Sequence, residues 1–187
     1  AIAIALEAKV VILENVMHVR HAHQNVVERA KVLLQENGYP LPTELILRAS
    51  DFGTPQGRKR HFLVASKSNM SVTTSDLAPL MTNGVTAGDA LIDLADLEPV
   101  TTFDRASQLS EESRRRIDFM FERDLFDLPN SERPDCHKLK KHSYVSVYGR
   151  IRPDEPAPTI TTGFLAPGQG RFTHPFRPRG LTPHEGA

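Results

Sequence analysis

Read from its residues, the chain is an α/β protein that passes into a small, loop-rich β region, and three features say so. Val10-Val11-Ile12-Leu13 is an unbroken β-branched and aliphatic run, as expected of a central strand buried on both faces of a parallel sheet. Val26, Val27, Ala30, Leu33 and Leu34 then recur at helical spacing. Fourteen prolines, crowded from Pro129 onward, make the last third turn-rich with short strands rather than helical. A length of 187 residues suits one domain, or a modest domain with a satellite.

In chain order, the first strand runs out into polar Glu14-Asn15. A helix is expected from about Ala22 to Asn37, with Gly38 as its left-handed stop, and Pro40 and Pro42 then enforce a turn. Thr43 to Arg48 and His61 to Ala65 read as two strands joined through Gly53-Thr54-Pro55-Gln56-Gly57, so the sheet gains an antiparallel hairpin at one edge. Beyond Ser66, small polar residues dominate until Thr86, whose hydroxyl caps a short helix through Leu91. A second capped helix is expected from Ser110 to about Arg123, with Glu111 and Glu112 favourably placed in its first turn. Nothing is periodic between Leu128 and His142; Tyr144 to Tyr148, Thr159 to Thr162 and Arg171 to Thr173 then read as short strands. Thr182-Pro183-His184-Glu185 is a capping box, the opening of a helix two residues before the last residue, which points to a polypeptide cut or split there.

Basic and acidic residues balance at 23 each, so any affinity for nucleic acid must come from local patches. Two exist, Arg114-Arg115-Arg116 and Lys138 to His142, although such runs are as often a solvated face. A single cysteine, Cys136, excludes an internal disulfide and makes a reducing cytoplasm the default. The apolar stretch Ala1 to Leu6 is far too short to span a bilayer and carries neither a basic leader nor a cleavage site, so no membrane association is expected.

Three stretches carry chemistry. Val10 to Val16 delivers the carboxylate of Glu14 and the carboxamide of Asn15 to a strand's C-terminal end, where open α/β sheets place ligands. Arg58 and Arg60 alternate at the mouth of a strand and so share one side, a fork suited to phosphate or carboxylate; the bland alternative is a basic edge strand that discourages aggregation. The third stretch runs from Tyr148 to Glu185 and, by composition alone, is a turn-rich β segment. Together, in this order and spacing, they resemble the C5-cytosine DNA methyltransferase family. Glu14-Asn15-Val16 matches its Glu-Asn-Val motif, Gln56 to Arg60 falls on its Pro-Gln-x-Arg-x-Arg motif, and Arg179 to Glu185 matches Arg-x-Leu-Thr-Pro-Arg-Glu, with His184 in place of the usual arginine.

The resemblance implies part of a Rossmann-like, S-adenosylmethionine-dependent methyltransferase sheet over residues 1–100, a target-recognition region over 101–175, and from 176 to 187 the start of a helix returning to the catalytic domain. Cytosine C5 is a poor nucleophile, so the family adds a cysteine thiolate to C6 before the methyl is taken. Glu14 would protonate or hydrogen-bond N3 and contact the exocyclic amine, Asn15 would hold the surrounding loop, and Arg58 and Arg60, the latter more directly, would fix the flipped base. Gln56, Thr159 and Arg179 would contact DNA, Thr159 as the threonine of the family's Thr-Leu pair beside the flipped nucleotide, here Thr159-Ile160. Base-sequence choice would lie between about Thr101 and Tyr148. The Pro-Cys-Gln nucleophile and the Gly-rich turn that holds the cofactor are absent, and Cys136 is no substitute. The expectation is therefore a fragment or split subunit that is inactive alone, with S-adenosylmethionine bound mainly by an N-terminal half or second subunit. A non-catalytic DNA-recognition subunit and an RNA cytosine-5 methyltransferase are the alternatives.

Overall fold

The computed structural model describes residues 2–95, 97–138 and 146–187. The chain forms two compact units, one of Ala1–Gly53 with Arg58–Asn83, the other of Thr54–Gly57 with Gly84–Ala187.

The first unit contains α1 (Ile2–Ala5), β1 (Val10–Asn15), α2 (Val26–Glu36), β2 (Thr43–Arg48), β3 (Lys59–Ser66) and α3 (Thr74–Leu77). Its sheet has the order β1-β3-β2, and β3 is antiparallel to both neighbours. The expected hairpin of β2 and β3 is present. Since β1 and β2 both oppose β3, they run parallel to each other, joined by α2, with β3 inserted between them. The sequence expectation for β1 needs correction: it is an edge strand of this sheet, and only Val11 is buried. Among the described residues β3 is its one paired neighbour, and the buried cluster of Val11, Leu34, Tyr39, Leu63 and Ala65 forms on one face of the sheet. Ile12 projects from the opposite side of the pleat and remains exposed.

Helix α2 starts at Val26 rather than near Ala22 because Gln24 (φ 72°) and Asn25 (φ 48°) hold left-handed backbone that a helix cannot pass through. It ends as expected at Gly38 (φ 85°). There the Tyr39 amide donates to the Leu34 carbonyl at 3.0 Å and the Gly38 amide to that of Gln35 at 3.3 Å, the paired bonds of a Schellman stop. Leu34 and Tyr39 close the motif within the buried cluster, and the Tyr39 hydroxyl donates to the Ala8 carbonyl at 2.6 Å.

The second unit contains α4 (Ala87–Ala95), α5 (Glu111–Glu122), α6 (Asp135–Lys138) and α7 (Pro183–Gly186). Helix α5 has the expected Ser110 cap, and α7 has the expected box: the Glu185 amide donates to Thr182 Oγ1 at 3.1 Å and Glu185 returns a carboxylate oxygen to the Thr182 amide at 2.9 Å. Thr86 caps α4, but Asp89 completes a second box there (Thr86 amide to Asp89 Oδ2, 3.0 Å) and the helix continues past Leu91. The strands expected at Thr159–Thr162 and Arg171–Thr173 do not form, and Ser146–Tyr148 is a turn; residues 144 and 145 of that expectation lie outside the described residues. Single bridges stand instead, Arg150 with Thr173, Thr173 with Gly180 and Gln56 with Ala157. Pro153, Pro156, Pro158, Pro167, Pro175 and Pro178 lack the amide that a ladder needs.

Arginines take over the work of a sheet. Arg150 donates to the Pro175 carbonyl at 2.8 Å, pairs with Asp124 at 3.0 Å and lies 4.3 Å over the Phe121 ring and 4.8 Å over that of Phe126. Arg171 donates to the carbonyls of Phe126 and Arg150 and pairs with Asp127. Arg116 is buried, pairs with Glu112, donates to the Glu132 carbonyl at 3.0 Å and stacks over Tyr148. The first basic patch is thus not a uniform cationic surface: Arg116 is a packing residue and Arg115 pairs with Glu132 at 2.9 Å, leaving Arg114 exposed. Of the second, Lys138 pairs with Asp135 at 3.2 Å, and residues 139–142 lie outside the described residues.

Candidate active site

In the first unit the strand register decides which groups meet. Glu14 stands opposite Phe62 and Asn15 opposite His61, so Glu14 shares a face with Phe62 and Arg60 while Asn15 points to the other face with His61 and Leu63. Arg60 Nε reaches Glu14 Oε1 at 2.7 Å, a diagonal contact across the two strands, and Arg60 also donates to the Lys59 carbonyl at 2.8 Å. Half-exposed ion pairs of this kind contribute at most about 1 kcal/mol to stability, so the pair's consequence is orientation: a carboxylate aimed from the end of an edge strand by a fixed guanidinium. Asn15 is used locally, its Oδ1 accepting from the Val16 amide at 2.9 Å. Arg58 precedes β3, its carbonyl accepting from the Ala49 amide at 2.9 Å, and it is Arg60 that makes the contact with Glu14.

Beside Asn15 on the α2 face lies a network that the sequence did not announce. His61, 2 % exposed, is held through Nε2 by Glu44 Oε2 at 2.9 Å; Glu44 also pairs with Lys31 of α2. The Lys31 hydrogen bond, with His61 assisting, outweighs partial burial and keeps the Glu44 carboxyl below the usual glutamate range. Lys31 is raised by hydrogen bonds to Glu28 and Glu44. The signal available was a histidine at an inward position of an alternating strand, a place that demands a polar partner.

In the second unit, Gln56 and Thr159 lie on paired segments. The Gly57 amide donates to the Ala157 carbonyl at 2.8 Å and the Ala157 amide to that of Pro55 at 2.8 Å, which bridges Gln56 to Ala157, two residues before half-buried Thr159. Arg179 is engaged inside the fold. Its two terminal nitrogens grip both oxygens of Glu185 at 2.7 Å each, and one also donates to the Gly180 carbonyl at 2.9 Å. Burial pushes the Glu185 carboxyl up, but Arg179, His174 and the Thr182 amide together hold it far below the usual range. His184, at the position where the resembling family has arginine, contacts Asp104 through Nδ1 at 3.0 Å and leans on Phe103. The Thr101 backbone amide first, then His184 and the Thr101 hydroxyl, hold Asp104 at about 2. Cys136 is exposed on α6. Among the described residues no cluster of side chains suits a metal, and no helix is long and apolar enough to cross a membrane.

The first unit thus brings a carboxylate and a guanidinium together at the strand mouth of a three-stranded antiparallel sheet. The comparisons with known proteins place the chain in a family. The sequence profile of the C-5 cytosine-specific DNA methylase family matches residues 1–187, and the chain belongs to that family. It is 45 % identical to type II methyltransferase M1.BsuMI of Bacillus subtilis (strain 168) over 95 % of its own length and 41 % of that protein. It is 31 % identical to type II methylase M.HgiDII of Herpetosiphon aurantiacus over 97 % of its length and 53 % of that protein. The chain thus spans about two fifths to half of these curated relatives. A crystal structure assigned to a prophage-encoded DNA modification methyltransferase (E. coli) superposes with a TM-score of 0.58 at 18 % identity, over 98 % of this chain and 59 % of that one, a likeness of fold.

Proposed function

We propose that the chain is the base-handling and DNA-contacting part of a DNA (cytosine-5)-methyltransferase, on a Rossmann-like catalytic sheet, acting on a cytosine swung out of duplex DNA. The Arg60–Glu14 contact at the end of β1, in a chain of this family, carries that reading. A carboxyl oriented at a strand end supplies the acid that cytosine needs at N3 when charge builds on the ring, and Arg60 sets its direction. Arg58 stands at the same strand mouth to hold the extruded nucleotide, and Gln56 and Thr159, on paired segments of the second unit, contact the DNA backbone. Asn15 keeps the chain turning correctly after Glu14.

The methyl donor implied by the family is S-adenosylmethionine, which the described residues do not fit. After β1 the chain enters a short 3₁₀ segment, Met17–His21, without the glycines that let a backbone approach such a ligand, so no step here runs through it. The nucleophile likewise comes from elsewhere, since Cys136 lies on an exposed four-residue helix. Both belong, in this reading, to an N-terminal half or second subunit, and the assembled enzyme is part of a type II modification system working in the cytoplasm.

The test is labelled methyl transfer to duplex DNA. The 187-residue chain alone is expected to transfer none, and transfer should appear when a segment bearing Pro-Cys-Gln and the Gly-rich turn is supplied. Incorporation by the chain alone would refute the division of labour. Preference for transfer RNA over duplex DNA in competition would move the protein to the RNA branch, and binding without transfer by the assembled pair would make it a recognition module.

A further inference from the structure

Like charges face each other where the sheet of the first unit opens. Register places Arg48, the last residue of β2, directly opposite Lys59, the first of β3. Just beyond them the Ala49 amide donates to the Arg58 carbonyl at 2.9 Å. Hydrogen-bonded and non-hydrogen-bonded pairs alternate along an antiparallel ladder, so Arg48 and Lys59 form a non-hydrogen-bonded pair, the kind that brings opposed side chains closest. Two cations so placed work against the pairing of their own strands. Both are exposed, and neither makes an ion pair among the described residues. The neighbouring carboxylates are engaged elsewhere. Glu44, on the same face, is held by Lys31, His61 and Arg20; Glu14 is with Arg60 on the opposite face; Asp51, three residues after Arg48, accepts from the Ser50 hydroxyl at 3.4 Å. Charge that guards a sheet edge against aggregation would account for Arg48 on edge strand β2, but Lys59 stands on the central strand.

What this pair lacks is an anion. A guanidinium and an ammonium set side by side offer their donors to one tetrahedral oxyanion without giving up an internal partner, and the mutual repulsion is relieved when it binds. We propose that Arg48 and Lys59 share one phosphate of the DNA backbone. This rests on the reading of the protein as a DNA methyltransferase and adds a contact on the face of the sheet opposite Glu14: the base is met on one face of the strand mouth and a flanking phosphate on the other. Phosphate contacts fix register without reading sequence, so the pair positions the duplex and leaves base choice to other residues.

Binding of a duplex oligonucleotide by the 187-residue chain, followed by anisotropy across a salt series, reads the contact. At about 0.1 M salt, Arg48→Gln and Lys59→Gln should each weaken binding about three-fold and the double variant about eight-fold, with the slope of log affinity against log salt falling by about 1 in the double variant, the share of one phosphate. The loss should be the same for two duplexes of unrelated sequence. Lys59→Glu, which sets a carboxylate opposite Arg48, should weaken binding further and yet raise the melting temperature, the reverse of what loss of a structural residue does. An unchanged slope in the double variant, a fall of about 2 as two separate contacts would give, a loss that depends on base sequence, or a lowered melting temperature for Lys59→Glu would each overturn the shared site and leave the methyltransferase reading standing. Absence of any DNA binding by the wild-type chain at low salt would overturn both.

Discussion

The two units reach a fixed structure by different means. The first is ordered by a three-stranded sheet and one apolar cluster, with α2 stopped by a glycine and laid on the sheet. The second, proline-interrupted and almost without strands, is ordered by threonine-carboxylate boxes at residues 86, 101 and 182 and by arginines spending their donors on backbone carbonyls. The proposed chemistry is divided the same way. The carboxyl that would meet the base stands on a strand, where register fixes its position, while Gln56 and Thr159, proposed to meet the DNA backbone, stand on loops, where only the polar ties do.

Removing a polar tie should therefore harm the second unit more than removing apolar bulk harms the first. Arg179→Ala leaves the Glu185 carboxylate, 3 % exposed, without its bidentate partner, and breaking a buried pair from one side costs about 3–5 kcal/mol. Hydrogen exchange should show protection lost across 84–187 and kept in β3. A variant that merely bound DNA less well, with exchange unchanged, would make Arg179 a contact residue instead. Leu34→Ala removes side-chain bulk from the apolar cluster at about 3 kcal/mol, and its exchange signature should be confined to the first unit.

Acid should separate the units more gently. Glu185 is held far below the usual glutamate range, and Asp104 titrates at about 2 against an ordinary 3.8. Depressed folded-state values mean that these groups stabilise the fold fully above their unfolded values and lose that contribution as pH falls through the folded ones. Protection in α7 and around Thr101–Asp104 should decline below about pH 4.5, within the interval where free carboxyls titrate. The first unit has its own depressed group, Glu44, so its network of Lys31 and His61 should loosen over a similar range, while the apolar cluster beneath it persists. Equal acid loss of protection at Leu63 and at Glu185 would erase the distinction between the units.

The division also explains what the residues alone disclosed. The hairpin, the Gly38 stop, the Ser110 cap and the Thr182 box rest on local rules, and all four are found. The position of β1 was misjudged because four consecutive apolar residues mark a strand but not which side of it is occupied, and here β3 returns to lie beside it. The late strands failed for a local reason, proline spacing, and what replaced them was hidden: no pattern in the sequence pairs Arg150 with Pro175 or Arg171 with Phe126, contacts that span 25 and 45 residues. Of the candidate site, motif order yielded Glu14 and Arg60, and register explains why they meet. His61 and Glu44 were passed over because a lone histidine in a strand has no partner until the fold supplies one 17 residues away.

Methyl transfer by the chain assembled with its nucleophile-bearing segment, comparing wild type with Glu14→Gln, bears most closely on the pair at the end of β1. Glu14→Gln keeps the shape and removes the acid, so the single-turnover rate should fall by at least about a hundred-fold with DNA affinity little changed. A Glu14→Gln enzyme that transfers methyl at the wild-type rate would show that the carboxyl aimed by Arg60 has no part in handling the base.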